Sequence, residues 1–237
     1  MEKIVIGEVA TIEEDNTVVN NSSVYIIKRK CYFAVKRLFD IVCSLILLPL
    51  VLLIMVIVKI SYVLTKDYYP IIFKQKRTGK NGRNFYLYKF RTMVYDNDVY
   101  DLSKKDTYTV VGKVLRKLSI DELPQIFNIL KGEMSFVGPR PWIVEYYQNM
   151  TSKQKHRCDV LPGITGLAQV KGRNSIGVLE KINYDLEYVK KISLKEDIKI
   201  CILTVKAIFI KEGTNAGKYN ISNDIKILKK QKMDTID

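Results

Sequence analysis

The strongest pattern along the chain is a run of eighteen uncharged, mostly apolar residues from Ile41 to Val58. As a helix it covers about 27 Å, the short edge of what spans a hydrocarbon core of roughly 30 Å. Pro49 stands at its ninth position, where it removes a backbone donor and crowds the preceding turn. A signal peptide is disfavoured, because the run starts at residue 41 and no small-residue cleavage site follows. Before it, residues 1–27 are acidic or polar with short apolar pieces and read as a flexible arm. After it, Phe73–Thr78 and Phe85–Met93 are alternating, aromatic-rich runs around Gly79 and Gly82, which predicts a β-hairpin. Residues 94–107 are polar and acidic, a loop.

Further along, Ser119 and Glu122 have capping-box spacing, and Pro124 is tolerated near a helix start, so a helix is expected to open there. Gly138–Pro141 and Leu161–Gly166 read as rigid turns. Ser193 and Glu196 repeat the capping spacing before an apolar helix that ends at Gly213. Its positions Ile198, Cys201, Ile202, Val205, Ile208 and Phe209 keep helical period. Ile200, Leu203 and Ile210 widen that face, so this helix is either core or lies against lipid. The expected organisation is an arm (1–27), a basic entry with the membrane helix (28–66), a catalytic domain (67–213) and a basic tail (214–237). The fold class is mixed, helix-rich α/β with a small hairpin and amphipathic interfacial helices.

Charge changes the picture of the apolar run. The 39 Lys and Arg against 25 Asp and Glu give a net charge of +14, which points to anionic partners. Most of the excess lies in residues 28–40 and 59–93, on both sides of the run. A spanning helix shows more Lys and Arg on one side. A helix broken at Pro49 with both ends basic fits a re-entrant hairpin whose two ends stay on the cytoplasmic face. A Pro-kinked span is the rival. The lysines of 226–232 read as a solvated face that touches anionic lipid.

Candidate chemistry centres on the adjacent carboxylates Asp121 and Glu122. Acidic residues in a first helical turn also serve the helix dipole, and Glu122 closes a capping box in the bland reading. Their company is basic: Lys89, Arg91, Arg116, Lys117, Arg140 and Arg173 lie at turns and element ends. Carboxylates with converging cations suit phosphate chemistry. One carboxylate holds a hard divalent cation, arginines grip phosphate oxygens, and an Asp can attack phosphorus itself. The single histidine, His156, reads as a surface residue rather than a base. Cys31, Cys43, Cys158 and Cys201 are far apart without a CxxC, so neither a disulfide framework nor a zinc site is expected.

Six blocks in order make the chain resemble the bacterial sugar transferases, specifically the small monotopic phosphoglycosyl transferases. They are Lys36–Asp40, Phe73–Gly79, Tyr88–Met93, Leu115–Gln125, Asn128–Pro141 and Pro162–Val170. The resemblance implies transfer of a sugar-1-phosphate from a UDP-sugar to polyprenyl (undecaprenyl) phosphate, releasing UMP and initiating a surface polysaccharide or glycoconjugate. It implies Asp121 as nucleophile and Mg²⁺ contact, with Glu122 its partner in metal binding or positioning. Arg140 would bind phosphate, with Lys89, Arg116 and Arg173 as supporting cations. Asp185 and Asp197 match recurrent acidic positions. The implied location is the cytoplasmic face of a bacterial inner membrane, with a monotopic chain and no nucleic-acid partner.

The chain departs from the family at two places. Leu48 stands where a Ser often precedes the membrane proline, leaving Ser44 as the nearest hydroxyl. Val178 and Ile182 stand where a Trp and a Phe are common, in a region expected to shape the sugar pocket. Two other functions stay open on sequence grounds. One is a membrane-tethered basic module that binds anionic lipid or nucleic acid without turnover, although no nucleic-acid recognition motif is apparent. The other is a glycosyl transferase that releases UDP.

Overall fold

The computed structural model describes residues 2–94, 108–172, 175–210 and 221–235, with side chains from Arg29 onward and none described for 208–210. The chain divides into two compact units, Met1–Phe39 and Asp40–Asp237. Helix α1 (Glu2–Leu64) contains the apolar run, with helical backbone assigned on both sides of Pro49 and no intervening loop. It also continues back to Glu2, where composition predicts a loose arm. Within Arg29–Leu64 the most apolar window is only 17% buried. By length and composition this helix could cross a membrane; most of the apolar run is uncovered, while its C-terminal end docks Val58 and Tyr62 into the domain.

From Asp40 the chain builds a mixed, helix-rich α/β unit. The expected hairpin forms from β1 (Ile72–Thr78) and β2 (Asn84–Phe90), antiparallel, with Ile72 opposite Phe90 and Thr78 opposite Asn84. A short 3₁₀ turn at Lys80–Gly82 joins them, with Asn81 and Gly82 at positive φ. Then follow α2 (Val110–Lys117), a 3₁₀ helix at Ile120–Gln125 and α3 (Ile126–Lys131). Strand β3 (Ser135–Val137) precedes α4 (Val144–Gln148) and α5 (Ser152–Lys155); β4 (Gly163–Thr165) pairs with β3 in parallel. The remaining helices are α6 (Leu167–Lys171), α7 (Val178–Lys190), α8 (Leu194–Ile210) and α9 (Ile221–Met233).

Period-two alternation explains how β2 is used. Phe85 and Leu87 point inward against Ile129 and Met134, and Lys89 falls on the same face. Phe90 is buried on the other side, against Val58, Tyr62 and Leu115. The strand end is thus fixed from both faces, and its lysine is delivered to the interior. Asn128 locks α3 to the strand: its amide donates to the Tyr86 carbonyl (2.7 Å) and accepts from the Tyr88 N–H (3.0 Å).

Two local expectations give way. The Ser119–Glu122 capping box does not form, because Ser119 adopts the left-handed conformation and its side chain makes no cap. Glu122 is turned to cations instead. Val178 and Ile182 are core residues beside Trp142, Ile143 and Tyr146, so they do not line a sugar pocket. The solvated face read for the lysines of 226–232 is borne out, with Lys226, Lys229 and Lys230 exposed on α9, while Leu228 of the same helix is fully buried in that core. Ile221, Ile225 and Leu228 recur at helical spacing and give α9 an apolar edge that its lysines mask in the composition. Helix α8 has a core side and an uncovered side: Ile200 is buried, whereas Ile198, Ile202 and Val205 form an exposed stripe.

Candidate active site

The Gly138-Pro-Arg-Pro141 turn depends on close backbone contact with the Leu161–Gly166 turn. The Gly138 N–H donates to the Thr165 carbonyl (2.8 Å), and the Gly163 N–H donates to that of Pro139 (3.0 Å). A side chain on Gly163 would lie 2.1 Å from the Gly138 nitrogen, so glycine is required by proximity. This packing presents Arg140 beside the 3₁₀ helix that carries Asp121 and Glu122.

Glu122 is gripped by two cations. Lys89 Nζ and Arg140 Nη2 each lie 2.7 Å from Glu122 Oε1. These cations hold the Glu122 carboxyl well below the usual carboxylate range, although burial acts against ionisation and is the largest single influence. Burial lowers the Lys89 ammonium from its ordinary value, with Glu122 opposing the shift.

Asp121 differs. Burial raises its carboxyl above the ordinary aspartate value even though Lys89, Arg116 and Arg140 all favour its charge. Among the described residues no donor hydrogen-bonds to its side chain. Arg116 stacks over Tyr108 at 4.7 Å and donates to its hydroxyl at 2.6 Å. The structure therefore assembles Lys89, Asp121, Glu122 and Arg140, with Arg116 alongside. Arg173 lies outside the described residues.

Asp185 and Asp197 serve elsewhere. Asp185 is buried against Arg157, whose Nε and Nη2 both donate to its Oδ2, at 2.9 and 2.6 Å. Burial pushes its carboxyl up and Arg157 pulls it down. Asp197 accepts a hydrogen bond from the Tyr188 hydroxyl at 2.7 Å, joining α8 to α7. Asp185 is thus bonded to Arg157, and neither Lys89 nor Arg140 figures among the charges acting on it.

Sequence reasoning passed over three residues that hold this site. Asn128 was marked only by being polar in an apolar helix. Arg157 stands at the end of an unremarkable polar stretch. Asp40 belongs to the Lys36–Asp40 block and accepts from Ser135 Oγ (3.0 Å) and the Phe136 N–H (3.1 Å), fastening α1 to β3. Its signal was a carboxylate at the threshold of an apolar run.

Among the described residues no group of three or more metal-binding side chains occurs. The donor set still fits a hard cation of the magnesium type, which uses one or two carboxylates and takes its other ligands from phosphates and water. Asp121, without a hydrogen-bond donor among the described residues and disfavoured as an anion by burial, is the carboxylate such a charge would relieve.

The fold and this cluster define a membrane-associated phosphate-handling protein. The bacterial sugar transferase family model matches residues 31–211, and the chain belongs to that family. It is 44% identical over 180 residues to an uncharacterized sugar transferase, EpsL, of Bacillus subtilis, covering 75% of this chain and 89% of that protein. It is 37% identical to the undecaprenyl-phosphate galactose phosphotransferase of Salmonella typhimurium, covering 78% of this chain and 42% of that protein. The Klebsiella pneumoniae UDP-glucose:undecaprenyl-phosphate glucose-1-phosphate transferase is 44% identical, with 75% of this chain and 41% of that protein covered. The chain thus spans less than half the length of those two relatives and most of EpsL.

Proposed function

We propose that this chain transfers a sugar-1-phosphate from a UDP-sugar to a polyprenyl phosphate such as undecaprenyl phosphate, releasing UMP. The observation that carries this reading is a carboxylate, Asp121, that has no hydrogen-bond donor among the described residues and is set among Lys89, Arg116 and Arg140. The names of the relatives supply the substrate class. Asp121 attacks the phosphorus that bears the sugar, and the bond from that phosphorus to the bridging oxygen breaks. UMP leaves with the electron pair, and the phosphosugar remains on the carboxylate as an acyl phosphate. An oxygen of the polyprenyl phosphate then attacks the same phosphorus, which frees the Asp121 carboxylate and yields a polyprenyl diphosphate sugar. Arg140, with its exposed guanidinium, holds phosphate oxygens, and Glu122 keeps Lys89 and Arg140 aligned. Mg²⁺ would be held by Asp121 and Glu122 and would neutralise phosphate charge.

The membrane part of this reading is a helix that enters and leaves one leaflet, bent at Pro49, on the cytoplasmic side of the inner membrane. Basic residues at both ends of the apolar run support it, as do its uncovered side chains. The exposed Ile198, Ile202 and Val205 would rest on the same surface, together with the anionic lipid that the net charge favours. Such a chain initiates a surface polysaccharide or glycoconjugate.

The test is release of nucleotide from a panel of UDP-sugars by detergent-solubilised protein with Mg²⁺ and polyprenyl phosphate. UMP that requires both metal and lipid supports the reading; UDP would establish transfer of the sugar alone. Labelling of single cysteines at positions 36 and 66 from the cytoplasmic side only is the expected topology, and opposite-side labelling would make the helix a span.

A further inference from the structure

Four successive carbonyls of the turn that carries Arg140 are each held from outside it. Pro139 accepts from the Gly163 N–H (3.0 Å), Arg140 from Arg157 Nη2 (2.8 Å), Pro141 from Arg77 Nη1 (3.3 Å) and Trp142 from the Thr78 N–H (2.9 Å). Flanking prolines restrict the turn further, since Pro139 and Pro141 have fixed φ and no N–H. The bond to the Arg140 carbonyl comes from a side chain, and that side chain is almost fully enclosed: Arg157 is 3% exposed and its partner Asp185 2%. Arg157 also lies 4.1 Å over the Trp142 ring.

We propose that Arg157, oriented by Asp185, is a positioning residue that sets where the Arg140 guanidinium meets the substrate phosphate. This rests on the reading of Arg140 as a phosphate-binding group. The planar guanidinium is required because one side chain must direct two N–H groups at Asp185 and another at the Arg140 carbonyl. A lysine presents a single ammonium and cannot keep that fork. Asp185 thus acts on the site two steps removed, through Arg157 and then the Arg140 backbone. This accounts for an acidic residue bonded to Arg157, with neither Lys89 nor Arg140 among the charges acting on it.

The experiment compares full-length wild-type protein with Arg157→Gln, Arg157→Lys and Arg140→Ala by steady-state UMP release, with thermal melting in parallel. Arg157→Gln should raise the KM for UDP-sugar on the order of tenfold, with a smaller change in kcat, and Arg157→Lys should fall between it and wild type. In an Arg140→Ala background the added Arg157→Gln change should cost less than about threefold, because both act through one group. A folded Arg157→Gln with unchanged KM, or effects that simply multiply with Arg140→Ala, would overturn the proposal. If Arg157→Gln does not fold, the apolar pair Arg157→Met with Asp185→Leu replaces the buried ions at similar volume. Recovered melting with a KM still raised supports positioning, and a wild-type KM in that pair overturns it. Should wild-type protein release no UMP, the functional reading fails separately. UMP affinity by calorimetry then decides: equal loss in Arg157→Gln and Arg140→Ala supports the proposal, and an unaltered Arg157→Gln overturns it.

Discussion

Asp121 and Asp185 are two aspartates of one domain that burial treats alike and their neighbours treat differently. Burial raises both carboxyls. Asp185 receives two guanidinium N–H groups on one oxygen and is enclosed. Asp121 has nearby cations but no hydrogen-bond donor among the described residues. A locked carboxylate orders its surroundings, whereas an unlocked one keeps its lone pairs for an incoming atom. The difference teaches that a raised pKa alone does not separate a structural aspartate from a reactive one; the hydrogen bonds do.

The sharpest way to break this comparison is to make both aspartates asparagine. Asp121→Asn is expected to lower UMP release by at least about a thousandfold, since the attacking oxygen is lost. Its melting temperature should be unchanged or higher. Asp185→Asn is expected to cost about 3–5 kcal/mol of stability, because it leaves the buried Arg157 charge uncompensated. Turnover and denaturant midpoints on the same two proteins check this. Retained activity in Asp121→Asn would move the reactive role elsewhere.

The unlocked aspartate could be seen in the sequence and the locked one could not be interpreted there. Asp121 sits in a carboxylate pair beside a proline, within a block whose residue types already imply phosphate chemistry. The hairpin was legible for a similar reason: alternation and glycine punctuation are local. Even the inward aim of Lys89 follows from its register with Phe85 and Leu87. Asp185 takes its meaning from Arg157, 28 residues earlier, and no local pattern pairs them. The capping-box reading of Ser119 failed because spacing carries no information on φ. The exposed lysines of α9 were legible, whereas the few isoleucines and one leucine that dock the helix were masked by that composition.

Helix α9 offers a middle-sized test of how the locked side of the molecule is held. It lies beyond the family match, yet Leu228 packs against α4 and α7, and Asp224 accepts a hydrogen bond from the Tyr146 hydroxyl at 2.9 Å. Leu228→Ala should destabilise by about 2–4 kcal/mol, the usual cost of a fully buried leucine. Loss of less than about 1 kcal/mol in denaturant titration would mean the helix is not a working part of the core.

The smallest effect distinguishes the aspartates by pH. Asp121 attacks as a carboxylate, so turnover falls as pH drops through its folded-state pKa, which burial places above the ordinary aspartate value. Linkage gives the matching stability sign. Protonated Asp121 is favoured in the fold, so its stabilising contribution is complete below the unfolded value and is lost as pH rises through the folded one. Lys89 is the strongest cation opposing the shift. Lys89→Met should therefore move the acid limb of the residual activity to higher pH, and Leu228→Ala, distant from both charges in its chemistry, should leave the limb in place. An acid limb that stays fixed when Lys89 is removed would show that another group sets it, and the distinction between a poised and a locked aspartate would then rest on the hydrogen bonds alone.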